Sequence, residues 1–340
     1  MLKAKSSDTA PISIGRRVLA FAGTLLALLA LFLFAVNTGS LKVTPSELFS
    51  GLFLQYDETV RAIYDLRFPR ILIAMLGGAA IAVSGVLLQA VMKNPLADPG
   101  IIGVSSGASL VAVLITAFLP QLFFVTPLLS FAGGLLAFVL VYSLSYKGGL
   151  SPVRIILVGV AVDTMFRGLM TAFNSATGSN YSGAASIVNA NITMKTWSDV
   201  RTLCVYVVLG LIAAMLAAHS CDLLSLEDKT AASLGVRVTK TRIVVSLIAV
   251  LLASISTAIV GPISFLGLIV PHIARLLVGS AHHALVPFSA ILGAFTLLLA
   301  DTVGRTVAQP YEISPSILMA VVGGPFFILL LRRSVKTYGT

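Results

Sequence analysis

Charge is what this 340-residue chain has least of: Asp, Glu, Lys and Arg together make up 11% of it, against 57% for hydrophobic residues. A soluble domain carries about 25% charged residues, so a chain of this length cannot coat a water-facing surface. Ten-residue segments of alternating polarity are missing as well, which excludes a membrane barrel. The long runs of Leu, Ile, Val, Ala and Gly must then be helices, since these satisfy their own backbone groups in lipid. Cysteine is scarce too. Cys204 and Cys221 are the only two, and their spacing on a continuous helix separates them by about 25 Å, beyond disulfide reach. Neither CxxC nor HExxH occurs, so no metal site is expected. No Walker motif and no nucleophile–base arrangement is present, which excludes ATP hydrolysis by this chain and argues against an enzyme. The glycine-rich "GGAAIAVSG" (77–85) follows no strand and lies within an apolar run, where small residues let helices approach closely.

Basic residues outnumber acidic ones 23 to 13, for a net charge of +10. They sit at the ends of apolar runs, which is the pattern of membrane topology rather than of nucleic-acid binding. Ten candidate spans follow: 18–36, 70–91, 101–118, 123–145, 155–173, 200–218, 243–260, 264–279, 285–303 and 314–331. The first is longer than the roughly 7–15 apolar residues of a secretory signal and is read as a retained helix. The eighth is short and contains Pro271, so a broken or half-length helix is expected, buried in protein or facing a water-filled cavity. Ten spans place both termini on one side. Fifteen of the 23 Lys and Arg residues fall on that side, seven on the other, and Arg167 lies within a span. Positive charge stays inside, so both termini are expected in the cytoplasm, with the loop 221–242.

That loop, "CDLLSLEDKTAASLGVRVTKTR", is the most water-compatible stretch of the chain. Ser225 followed by Asp228 has the form of a capping box, Glu227 and Asp228 suit a first helical turn, and Gly235 is placed as a stop. A helix from Leu226 to Leu234 is expected, with Leu226, Ala231 and Leu234 among its apolar residues. Two further pairs, Asp163–Arg167 and Asp301–Arg305, are spaced four apart and so share a helix face. Each reads as a structural ion pair or, for Asp163–Arg167, as part of a polar patch on a translocation path. Met170 and Asn174 continue that stripe at helical spacing; Met165 lies off it and reads as packing, and core packing explains Met170 almost as well. His272 beside Pro271 reads as a hydrogen-bonded helix-end residue.

"LRFPRILIAMLGGAAIAVSGVLLQAVMKNPLADPGIIGVSSGA" (66–108), "GPISFLGLIVPHIARLLVG" (261–279), "LLLADTVGR" (297–305) and "EISPSILMAVVGGPFFILLL" (312–331) together resemble the FecCD-type permeases of ABC importers for iron–siderophores, haem and cobalamin. The resemblance runs from about residue 15 to the C-terminus. It implies an all-α polytopic membrane protein with about ten helices and type II ABC importer architecture, one transmembrane domain over 1–340. It also implies a second permease subunit (a homodimer is expected), two cytoplasmic ATPases carrying ATP–Mg, and an extracytoplasmic binding protein. The setting is the bacterial cell membrane. "LSLEDKTAASLGV" (224–236) matches the family's ATPase-coupling segment, which implies contact through Leu226, Glu227, Asp228, Ala231, Leu234 and Gly235. Arg67, Arg70 and Arg305, expected on the outer surface, match positions that receive acidic residues of the binding protein. From position alone, snorkelling to lipid headgroups explains them equally. Arg67 and Arg70 flank Pro69, whose ring suits a first helical turn. Met170 and Asn174 fall on the helix that lines the family's central pathway. The expected cargo is a ferric siderophore, with haem or cobalamin as alternatives and an ion-gradient-driven transporter as the alternative class. "SIVNANITMKTW" (186–197) stands where siderophore permeases often carry a Trp-Leu-Asn/Gly-Gly-like signature.

Overall fold

The computed structural model describes residues 13–38, 57–146, 152–177, 195–308 and 311–338, with positions 44, 47, 50–51, 187, 190 and 192–193 between them. Part of "SIVNANITMKTW" lies outside the described residues, as do Lys3, Lys5, Lys42 and Lys147 of the topology count. Among the described residues the fold is all helical: α1 (Ile14–Asn37), α2 (Glu58–Met92), α3 (Val104–Phe118), α4 (Thr126–Ser145), α5 (Pro152–Thr177), α6 (Trp197–Leu224), α7 (Asp228–Ser233), α8 (Val238–Val260), α9 (Leu266–Val278), α10 (His282–Val307) and α11 (Pro315–Tyr338). A helix covers each of the ten apolar segments. Eight are long and apolar enough to cross a membrane, and α3 and α9 are shorter.

The axis of the bundle is α2. Its apolar window is 83% buried, against 11% for peripheral α1, and it packs on α10, α8, α6 and α9. Contact that close needs small residues. A Cβ on Gly78 would sit 2.2 Å from the Gly293 carbonyl oxygen of α10, and one on Gly85 would sit 2.0 Å from that of Gly267 in α9. The glycines of 77–85 therefore act as a packing surface, as their composition implies.

With 35 residues, α2 is about 52 Å long, against about 30 Å of hydrocarbon. The excess lies at its N-terminal end and corrects one expectation. The helix starts at Glu58, not beside Pro69, and Asp57 caps it by accepting from the Val60 N–H at 2.9 Å. The 58–69 stretch is too polar to read as membrane span, yet it is a capped helix whose Val60 and Ile63 are buried at 1% and 0% exposure. Packing of such a face is what stabilises a helix; the exposed Arg61–Asp65 pair at 2.9 Å adds little. Pro69 thus sits inside the helix.

The half-length eighth segment is present as α9, 13 residues with Pro271 inside it. Its approach, Gly261 to Phe265, is non-helical, and Gly261, Pro262 and Ile263 are buried. Irregular backbone at membrane depth is shielded by protein here, as the lack of water in lipid requires. Gly261, at φ +88°, meets this need twice: the conformation favours glycine, and a Cβ there would lie 2.5 Å from Ala190 Cα.

Candidate functional site

The contacts between helix termini sort the molecule into two ends. At one end, α6 meets α10 where the Asp222 carboxylate accepts from the His282 backbone N–H at 3.0 Å and lies 2.6 Å from its Nδ1. The same end holds α7 and the C-terminus of α2. At the other end lie the C-termini of α1 and α10 and the projecting part of α2.

This second end carries a buried ion network. Arg70 reaches Asp301 at 2.8 Å and Glu312 at 2.9 Å, and Asp301 also pairs with Arg305 at 3.2 Å. Asp301 is fully buried, while Arg70 and Arg305 are 6% and 7% exposed. The i,i+4 spacing of Asp301 and Arg305 thus forms a contact, but Arg70, far away in sequence, makes the better hydrogen bonds. Two of the three arginines expected on the outer surface lie inside. A guanidinium cannot remain in lipid unpaired, and Asp301 draws both inward. Arg67 is half-buried and donates to the Val36 carbonyl of α1 at 2.8 Å. Glu312, 42% exposed in its side chain, is the member that sequence reasoning missed. No spacing rule links it to a residue 242 positions away.

Halfway along α5, Arg167 Nε donates to Asp163 Oδ2 at 2.7 Å, and Arg167 Nη2 reaches Ser264 Oγ at 3.4 Å. The pair is not sequestered: the Arg167 side chain is 42% exposed and that of Asp163 19%. Asn174 is exposed on the same helix. Of the two readings of Met170, packing is the one seen, at 3% exposure in a cluster with Ala112, Val113, Ala117, Ile187 and Ala258, whereas Met165, expected to pack, is 48% exposed. His272 lies within α9 rather than at its end, edge-on to Phe326 with ring centroids 5.6 Å apart.

The loop between α6 and α8 holds a shorter helix than expected. Ser225 is the C-cap of α6 and donates to the Cys221 carbonyl at 3.0 Å. Because α6 runs on to Leu224, that hydroxyl is consumed, and the capping box does not form. The helix α7 spans six residues, with Glu227 at its N-cap and no side-chain cap. Gly235 does end the segment, at φ +84°. So short a helix is not stable alone, and the surrounding structure holds it in two ways. Ala231 is buried at 1% exposure. Asp228 accepts from Lys93 of the α2 terminus at 2.7 Å and from Arg242 of α8 at 3.1 Å, and Lys93 also donates to the Leu226 carbonyl. The bonded Lys93 ammonium, with Arg242 beside it, holds the Asp228 carboxyl below the usual carboxylate range. Leu226 and Leu234 are 38% and 62% exposed, so they project from a segment anchored at its polar side. Lys93 and Arg242 were not singled out in the sequence; the single signal for Lys93 is a cation at the end of an apolar run.

Residues 27–333 match the model of the FecCD transport family. The Staphylococcus aureus (strain Newman) protein named "Probable heme-iron transport system permease protein IsdF" is 42% identical over 321 residues, covering 94% of this chain and 98% of that one. A solved chain described as a metal-chelate type ABC transporter in an inward-facing conformation superposes with TM-score 0.75 at 28% identity, over 93% of this chain and 99% of that one. The PsaBC complex from Streptococcus pneumoniae shares the fold alone, with TM-score 0.56 at 16% identity over 87% of this chain and all of that one.

Proposed function

The chain belongs to the FecCD transport family, and on that premise we propose that it is the permease subunit of an ATP-driven importer for an iron chelate, working as a dimer with two ATPases. It is a multi-pass membrane protein, and we place it in the bacterial cell membrane with both termini in the cytoplasm. Haem takes precedence over a ferric siderophore as the first cargo to test, because a 42% identical relative is named for heme-iron transport; cobalamin, a cobalt rather than an iron complex, is the remaining alternative.

One observation carries this reading. Halfway along an apolar membrane helix, α5 exposes a charged pair, with Asn174 beyond it. Intramembrane charges face a protein interior or a water-filled cavity rather than lipid. A second copy set against α5 would enclose these groups and create such a path along the dimer axis. Met170 would join it only in a conformation that releases it from its cluster. The binding protein would deliver cargo at the end holding Arg67, and Arg70 and Arg305 would act from behind, shaping the rim through Asp301 and Glu312. At the opposite end, Leu226 and Leu234 would enter a groove on the ATPase. Cofactor chemistry has no part in this scheme; ATP–Mg would bind the ATPases.

Cysteine placed at Asn174, with Cys204 and Cys221 replaced by Ser, tests the arrangement. Two copies should crosslink through a short bifunctional reagent in the membrane, and a water-soluble thiol reagent should reach the site. Lipid-only exposure, with no crosslink and no aqueous labelling, would sink it. Uptake by the reconstituted permease with ATPases and binding protein should require ATP; transport by the permease alone would favour an ion-driven mechanism.

A further inference from the structure

The end of the bundle that carries α7 also holds basic groups that the transport scheme does not use. Arg16, at the start of α1, donates to the Leu276 carbonyl of α9 at 3.3 Å, which sets the α1 N-terminus beside the last turn of α9. In this region Arg17 Nε and Arg275 Nη1 are both buried, and neither has a hydrogen-bond partner among the described residues. Asp222, the carboxylate that the end of α6 brings here, is already engaged by both the backbone and the ring of His282. Arg275 lies within electrostatic reach of that same histidine. A guanidinium N–H withdrawn from water without an acceptor is costly, and here two adjacent helices each present one.

What lies outside α1 indicates the missing acceptor. Ile14, Val18, Leu19 and Leu26 are 62–78% exposed, an apolar face that in a multi-pass protein meets acyl chains. The headgroups of those same lipids stand level with Arg16 and Arg17. We propose that Arg17 and Arg275 together bind the phosphate of an anionic phospholipid, which bridges α1 to α9. The guanidinium fork matches phosphate oxygens with charge-assisted hydrogen bonds, and basic pockets between membrane helices are suited to acidic headgroups. A headgroup with net negative charge is preferred over a zwitterionic one because, among the described residues, no carboxylate forms an ion pair with either cation. The bridge also gives α1, the least buried of the long helices, a hold on the core at this end.

The test uses the full-length permease, purified in mild detergent, washed free of lipid and titrated with phosphatidylglycerol or phosphatidylcholine while bound lipid is counted by native mass spectrometry. Wild type should retain phosphatidylglycerol in preference to phosphatidylcholine. Arg17→Gln and Arg275→Gln should each weaken that binding by about 5-fold, since each basic side chain near an acidic lipid surface contributes by that order. The paired Lys variants should keep most of the binding, which guards against a folding artefact. Arg201→Gln, an exposed arginine at the opposite end, should behave as wild type. Excess inorganic phosphate should not displace the lipid, and removing residues 1–12, which include Asp8, should leave binding unchanged. Undiminished phosphatidylglycerol binding in the Arg17→Gln, Arg275→Gln double variant would overturn the proposal. So would displacement by free phosphate, or tighter lipid binding after loss of residues 1–12, which would make Asp8 the natural acceptor.

Discussion

Asp301 has no exposed surface and yet serves two arginines. Removing one partner of a buried pair strands the other charge, at a cost of about 3–5 kcal/mol. Arg70→Met should therefore lower the melting temperature of the purified permease sharply, whereas Arg67→Glu, at a half-buried site that pairs with a carbonyl, should change it little. The two substitutions separate scaffold from docking. Arg67→Glu should slow capture of the binding protein mainly at low salt, since rim charges act on association and are screened. Normal capture kinetics in that variant would leave Arg67 a lipid anchor. Asp228 yields a prediction about pH. Lys93 and Arg242 depress its carboxyl, so its contribution is present above the unfolded value of about 3.9 and is lost only as pH falls through the lower folded value. Coupling should owe no pH dependence to this contact between pH 5 and 8. Asp228→Lys should uncouple ATP hydrolysis from transport, and adding Lys93→Glu should restore part of it; a double variant no better than the single would show that the tether is unimportant.

At the scale of elements, the two shortest membrane helices and α7 share a property: none is stable by itself, and each depends on neighbours. For α9, that neighbour is α2 through Gly85. A Gly85→Val side chain would meet the Gly267 backbone, which cannot retreat, and overpacking of this kind costs about 1–3 kcal/mol or more. The variant should express poorly and melt early; wild-type stability would mean that α9 can shift. For α7, Leu226→Asp and Leu234→Asp alter exposed positions and should leave membrane insertion and melting intact. An ATPase groove would desolvate the new carboxylate without a partner, so uptake should fall while ATP hydrolysis continues. Unchanged uptake in both variants would rule out these leucines as the contact.

For the whole molecule, the arrangement of ends makes orientation testable. A cysteine at Thr230 should react with a membrane-impermeant reagent only from the cytoplasmic side, and one at Tyr311, 79% exposed, only from outside; the reverse pattern would invert the proposed topology. How much of this was readable in advance divides along physical lines. Apolar runs of span length are local, so all ten helices and the brevity of α9 could be read from the chain. The polar overhang of α2 could not, because it rests on a cap and on a few buried residues, Val60 and Ile63 among them, rather than on a long apolar run. The i,i+4 pairs were legible because one helix fixes both partners, and both exist. Arg70–Asp301, Arg70–Glu312 and Lys93–Asp228 join residues more than 130 positions apart, and no local period reports them. Met170 is covered and Met165 open because a helical stripe says which residues share a face, not which face is covered.

The sequence by itself determined the solvent and the element type: a chain this poor in charge must live in lipid, and in lipid its backbone must close on itself as helices. It also determined the family, through four ordered blocks. Only the tertiary structure decided which charges are scaffold and which remain available. Burial of a charge depends on where distant helices converge, and that is set by the glycine contacts of α2 and by the carboxylates that α10 and the residues after it bring to Arg70.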